Sequence, residues 1–233
     1  MKKNTPVIEL KDVWKIYELG EHKVYALRGL NLKVFAKEFV AIQGPSGSGK
    51  STTMNLVGCL DVPTKGAIFL DGQNIAELSE SDLATIRGRK IGFIFQKFNL
   101  LNNLTALQNV ALPLIFQGVP EHERIEKAEN LLRLVGLQER MWHRPNQLSG
   151  GEQQRVAIAR SLAVNPEVIL ADEPTGNLDS KTGAEIMDFL KNLNKKHGKT
   201  IILVTHDDVL AKHADRIVFL KDGQIIKSTI MRR

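Results

Sequence analysis

The chain has 233 residues, 42% hydrophobic and 25% charged, the proportions of an ordinary soluble protein long enough to bury its own core. Its net charge of +6 is scattered, with Lys195-Lys196 and Arg232-Arg233 only short pairs, so no basic run points to nucleic acid. A lone Cys59 excludes an intrachain disulfide or cysteine metal cluster, no signal-peptide pattern opens the chain, and the most apolar segment, 100–119, is too polar to span a bilayer, so a cytosolic protein is expected.

Residues 7–17 (VIELKDVWKIY) and 30–35 (LNLKVF) alternate apolar and polar side chains, which predicts half-buried antiparallel strands with a turn at Leu19-Gly20-Glu21-His22. Tyr17 closes the first strand, where it either caps the sheet edge or offers its π-face to a base. The apolar run 39–42 predicts a buried strand and 52–60 a helix. Between them lies GPSGSGKST, residues 44–52, whose first eight residues fill the pattern G-x-x-x-x-G-K-S/T. At ordinary residue usage those four fixed positions coincide in about one chain in a hundred of this length, and a strand before and a helix after make chance rarer still.

Each residue type in this stretch has a use. Gly44, Gly47 and Gly49 permit a tight turn and close approach of backbone to ligand, and with Pro45, Ser46 and Ser48 they form a nest of amides at a helix N-terminus, where an anion is favoured. Lys50 reaches the β- and γ-phosphates of a nucleotide, the Ser51 hydroxyl ligates Mg²⁺, and Thr52 completes the phosphate-binding stretch.

A strand at 67–70 then ends in Asp71-Gly72, a polar helix spans 79–90, and a strand at 91–95 ends in Gln96. Helical periodicity follows at 105–117, 121–135 and 152–164, with breaks at Gly118-Val119-Pro120 and Arg144-Pro145-Asn146. Strands return at 168–171, 200–205 and 216–220, with an amphipathic helix at 180–196 that stops at Gly198 and a hairpin signal at Asp222-Gly223. The expectation is one α/β domain over 1–233: a nucleotide-binding core from 1–96 and 166–233 that includes antiparallel strands, and a helical insertion at 97–165.

The apolar strand VILADE, 168–173, stops on two carboxylates, and in parallel sheets ligands bind beyond the C-terminal strand ends. Asp172 is placed to hold Mg²⁺, and Glu173, one step past the strand, to act as general base on the attacking water. The strand 201–205 ends in His206, whose imidazole can bond a γ-phosphate oxygen, and Gln96 can reach the Mg²⁺ or the water. In LSGGEQQ, 148–154, Ser149 and Glu152 form a capping box, which leaves Gly150 and Gly151 unexplained. Glycine in a helical turn costs up to about 1 kcal/mol relative to alanine, so the pair suits a helix start whose amides approach an anion closely.

Taken together, the P-loop, Gln96 as Q-loop residue, LSGGEQQ as signature, VILADE as Walker B strand, Asn177-Leu178-Asp179 as D-loop and His206 as switch histidine resemble ATP-binding cassette (ABC) ATPases over nearly the whole chain. The resemblance implies a P-loop NTPase core with an antiparallel β subdomain and an inserted α-helical subdomain, an ATP hydrolase that uses ATP and Mg²⁺. It further implies a head-to-tail dimer with two ATP molecules, each between one chain's P-loop and the other's Ser149, Gly150, Gly151 and Glu152. Tyr17 matches the A-loop aromatic that stacks on adenine, and Asp179 would reach across the interface. A transmembrane permease on a separate chain would receive the motion and hold the ATPase on the cytoplasmic face of the membrane. YALRGLNLKV, IGFIFQKFNLLNNLTALQNVALPL and ADEPTGNLDSKTG are similar to the subgroup serving lipoprotein-release and macrolide-exporter transporters. Lys37-Glu38 departs from the family's usual Gly-Glu. An adaptor that regulates a membrane complex mechanically, or a soluble ABC ATPase acting on nucleic acid, are the alternatives. The latter usually carries a long coiled-coil insertion or a second cassette, both missing here, and a GTPase would need an N-K-x-D motif.

Overall fold

The computed structural model describes residues 5–231; the Arg232-Arg233 pair and the first four residues lie outside them. The chain divides into two compact units, one of 1–87 with 191–233 and one of 88–190.

In the first unit, β1 (Pro6–Leu19) and β2 (His22–Phe35) form a long antiparallel hairpin, extended by β4 (Lys65–Leu70) and the two-residue β5 (Gln73–Asn74) in the order β2-β1-β4-β5. Leu27, Leu30, Leu32 and Val34 are buried while their neighbours face outward, the alternation of a half-buried strand. The sequence pattern predicts this strand only from residue 30. Its first four residues, His22 to Tyr25, are exposed, so no buried face imposes an alternation there. The Asp71-Gly72 turn has φ of 51° and 80°, the left-handed geometry of a tight hairpin.

β3 (Phe39–Gln43) and β8 (Thr200–Thr205) are buried at every residue and pair in parallel, and β3 pairs in parallel with β9 (Arg216–Lys221). β10 (Gln224–Ile230) returns antiparallel on β9 through Asp222 and Gly223. Helices α1 (Lys50–Val57) and α2 (Glu80–Lys90) follow β3 and β5 in sequence, and the single turn α7 (Asp208–Ala211) follows β8. The departure at Lys37 has a backbone meaning: its φ is 66°, a conformation glycine adopts without the Cβ penalty.

The second unit contains β6 (Ile91–Ile94) and β7 (Val168–Asp172), paired in parallel, with α3 (Ala106–Phe116), α4 (Glu121–Leu134) and α5 (Gly150–Leu162). Helix α6 (Ser180–His197) leads the chain out of it. Leu107, Val110 and Leu114 of α3, Ala128 and Leu132 of α4, and Val156, Ala157 and Ile158 of α5 are buried. Thr105 and Gln108 start α3 with a reciprocal capping box, and the buried Asn109 fixes the preceding loop, accepting from Leu101 N at 2.8 Å and donating to the carbonyls of Leu101, Leu104 and Thr105. Helices α3, α4 and α5 lie within 97–165, in the same compact unit as β6 and β7. Among the described residues no helix is long and apolar enough to cross a membrane.

Candidate functional site

In the first unit the site is built on two matched strand ends. β3 and β8 are in register from Phe39↔Ile201 to Gln43↔Thr205, so Gly44 and His206 leave the sheet side by side. From Gly44 the chain turns through Pro45, Ser46, Gly47 and Ser48 and enters α1 at Gly49, which has φ 101° and no side chain to cap the helix. Thr105, Ser149 and Asp207 each cap their helices with a side-chain oxygen; α1 keeps its first amides for another acceptor.

The loop is held by its own chain. Lys50 Nζ donates to the carbonyls of Gly44 and Pro45, both at 2.8 Å, and Gly223 N donates to Ser48 O at 3.1 Å. A Cβ on Gly44 would lie 2.1 Å from Leu220 O, so close backbone packing requires glycine there whatever the ligand. Pro45, Ser46, Gly47 and Ser51 are exposed. His206 is also exposed, and the next residue, Asp207, caps α7 through Val209 N at 2.6 Å and Leu210 N at 3.2 Å.

Tyr17 sits beside α1. Its phenol donates to Asp61 Oδ2 at 3.1 Å. Burial, with the Asp61 carboxylate adding to it, pushes the phenol above its ordinary value. Burial works to raise the Asp61 carboxyl too, but hydrogen bonds from Lys15, Val62 N and Tyr17 outweigh it and hold the group below the usual carboxylate range.

In the second unit β6 and β7 are in register to Ile94↔Ala171. One step past that pair are Phe95 and Asp172; two steps past are Gln96 and Glu173. Asp172 ends β7, and Glu173 has φ 45°, so the chain leaves the strand sharply at the proposed base. The turn after it meets Gln96: Asn177 Nδ2 donates to Gln96 O at 2.8 Å, and a Cβ on Gly176 would lie 2.7 Å from Gln96 Nε2.

The start of α5 is a reciprocal cap. Ser149 Oγ accepts from Glu152 N at 3.3 Å, and Glu152 Oε2 accepts from Ser149 N at 2.8 Å. That backbone bond, with the Ser149 hydroxyl, Arg140 and His143 assisting against burial, holds the Glu152 carboxyl below the usual range. The carboxylate's contribution to the cap is therefore complete above its ordinary value of 4.5 and is lost as pH falls through the lower folded value.

Gly151 has an internal reason to be glycine: a Cβ there would lie 2.4 Å from Thr182 Cγ2, whereas at Gly150 the nearest atom, Leu178 Cδ2, is at 3.4 Å. Gly151→Ala is expected to destabilise the chain by about 1–3 kcal/mol, the usual cost of overpacking, and Thr182→Ser, which removes the obstructing methyl, to recover most of it in thermal unfolding. Asp179 likewise serves its own chain. Its Oδ1 accepts from Lys181 N at 3.1 Å and Thr182 N at 3.0 Å, capping α6, and the Thr182 donors hold the carboxyl below its ordinary value.

Four partners of these residues are not visible in sequence. Arg140 Nε pairs with Glu152 Oε1 at 3.3 Å. Buried Gln154 donates to Pro174 O at 2.5 Å and Phe95 O at 3.5 Å, tying the signature helix to the turns at Glu173 and Gln96. Asp61 and Lys15 surround Tyr17.

The family model described as ABC transporter matches residues 27–176. An uncharacterized ABC transporter ATP-binding protein of Thermotoga maritima is 57% identical over 219 residues, covering 94% of this chain and 93% of that protein. The macrolide export ATP-binding/permease protein MacB of Aggregatibacter actinomycetemcomitans is 49% identical over 227 residues, 97% of this chain but 35% of MacB. Among solved structures, a dimeric post-hydrolysis state of the ATP-binding cassette MJ0796 bound to ADP and Pi superposes with a TM-score of 0.90 at 50% identity, covering 97% of this chain and 99% of that one.

Proposed function

This chain belongs to the ABC transporter family, and on that premise we propose that it is the ATP-hydrolysing subunit of a membrane machine, working as a head-to-tail pair that encloses two ATP molecules. The observation that carries the reading is the presence of two helix starts suited to phosphate in one chain. The amides of Gly47, Gly49, Lys50 and Ser51 open α1 with no side-chain cap, and the exposed Ser149 opens α5. One nucleotide needs one P-loop, so the second start serves the nucleotide of a second copy. The dimeric cassette bound to ADP and Pi supports this reading by similarity.

In that assembly Lys50 exchanges its two loop carbonyls for the β- and γ-phosphates, Glu173 takes the proton of the attacking water, and His206 bonds a γ-phosphate oxygen. Gln96 orients the water, Ser149 and the Gly150 and Gly151 amides stabilise γ-phosphate charge from the other chain, and Asp179 links the two halves. Mg²⁺ suits the donors available. Among the described residues no three His, Cys, Asp or Glu side chains form a metal cluster, and Mg²⁺ is commonly held by one or two carboxylates together with substrate phosphates and water. Ser51, Asp172 and Gln96 would hold it, and when bound it neutralises phosphate charge.

The membrane partner is a transmembrane permease on a separate chain that holds this ATPase at the cytoplasmic face, and the work is export or mechanotransmission. MacB joins ATP-binding and permease portions in one protein of which this chain matches about a third. Phe116 is 84% exposed and Ile115 and Leu101 nearly half exposed, apolar surface on the helical segment that suits such a partner. If each site needs two chains, ATPase activity per chain rises with chain concentration and then saturates. A rate per chain that stays flat down to nanomolar protein would reject the two-chain site.

A further inference from the structure

We propose that Asp61 and Lys15 are positioning residues for nucleotide binding, fixing the Tyr17 ring so that a single face is presented to the adenine of ATP; this rests on the reading of Tyr17 as the stacking aromatic.

The side chains of Lys15 and Asp61 are 12% and 26% exposed. Lys15 Nζ donates to Asp61 Oδ1 at 2.5 Å and to Val62 O at 2.9 Å, and Val62 N donates to the same carboxylate oxygen at 2.8 Å. The other oxygen, Oδ2, receives the Tyr17 hydroxyl. The carboxylate is thus directional: its orientation is set by Lys15 and the Val62 amide, and it in turn sets the phenol. Lys15 Nζ also lies 5.1 Å from the centroid of the Tyr17 ring, within cation–π range. An ammonium on one face leaves only the opposite face for a base.

The placement of the network supports a role in binding. Tyr17 is tethered to Asp61, just beyond the C-terminal end of α1. The phenol is therefore referenced to the element whose N-terminus holds the phosphates, which fixes the separation between base platform and phosphate nest. The facing strand is irregular here, with Ala26 of β2 as the extra residue. The β1–β2 register shifts between Lys15↔Leu27 and Ile16↔Tyr25, the kind of bulge that re-aims side chains next to functional sites. A half-buried ion pair contributes little net stability, so fold stability alone gives weak reason for it. Ordering the ring before ATP arrives removes part of the entropic cost of binding.

The test uses the full chain, a fluorescent ATP analogue and inorganic tripolyphosphate, which occupies the phosphate nest and has no base. Base stacking is typically worth about 1–3 kcal/mol on alanine substitution, so Tyr17→Ala is expected to weaken analogue binding by about 5- to 150-fold. Asp61→Asn and Lys15→Met should each weaken it by a part of that, about 3- to 10-fold, with tripolyphosphate affinity unchanged and KM for ATP shifted more than kcat. Tyr17→Phe should reproduce Asp61→Asn, and the pair together should cost no more than either, because both break the same contact. Tyr17 and Tyr25 are the only tyrosines, so a phenolate absorbance titration reads the brace directly: Asp61→Asn should bring the raised step back toward its ordinary value. Loss of analogue and tripolyphosphate affinity together would mean that Asp61 acts through the fold and overturn the proposal, as would unchanged analogue affinity in Asp61→Asn when Tyr17→Ala weakens it. If Tyr17→Ala itself binds normally, the stacking reading fails first. Should Asp61→Asn not fold, Tyr17→Phe carries the same comparison.

Discussion

Glu173→Gln is expected to bind ATP like the native chain and to hydrolyse it about 10²–10⁴-fold more slowly, the range associated with losing a positioned general base. The substitution is nearly isosteric and leaves the backbone of the turn as it is, with φ 45° at residue 173 and Gly176 N donating to Glu173 O at 3.0 Å. Stability should therefore stay within about 0.5 kcal/mol of native, as for other substitutions that leave packing intact. If the pair closes on ATP and opens again once ATP is hydrolysed, slow hydrolysis should make ATP-bound pairs accumulate. Single-turnover rates with radiolabelled ATP check the chemistry. A Glu173→Gln chain that hydrolyses at the native rate would remove Glu173 from the role of base.

Ser149→Asp separates the two tasks of the signature serine. As a helix cap, aspartate replaces serine almost without loss, so the reciprocal bonds between residue 149 and Glu152, now 2.8 and 3.3 Å long, have a substitute and the chain should unfold at close to the native midpoint. As a phosphate donor, aspartate is the wrong group, because it places a negative charge against the γ-phosphate of the partner's ATP. Loss of one such donor ordinarily costs about 10²–10³ in rate, and added repulsion should place Ser149→Asp at or beyond the upper end. ATP binding by the isolated chain should survive, since the P-loop is untouched. Native-level ATPase in a well-folded Ser149→Asp chain would mean that Ser149 is a cap and nothing more.

The motifs were legible because each is a short contiguous string whose chemistry and local frame coincide. GPSGSGKST follows a strand buried on both faces, VILADE is itself such a strand, and LSGGEQQ contains its own helix cap. The family and fold read from those strings agree with the matched family and the similar cassette structures. What stayed hidden depends on tertiary contact. Lys15 and Asp61 are 46 positions apart and Tyr17 and Asp61 are 44 apart, so no local pattern links them. The first four residues of β2 are exposed and carry no periodicity. Gly151 has a second, packing reason to be glycine, with Thr182 Cγ2 2.4 Å from where its Cβ would stand, and the Asp179 carboxylate also caps α6; neither contact is legible in the string itself.

The central claim is that the nucleotide site of one chain is completed by the Ser149 turn of another. Sedimentation velocity on Glu173→Gln, with and without ATP, tests it most directly when run beside the double variant Glu173→Gln/Ser149→Asp. The account predicts ATP-dependent dimers for the first and monomers for the second, both binding ATP. Equal dimerisation of the two proteins, or dimers indifferent to ATP, would contradict it.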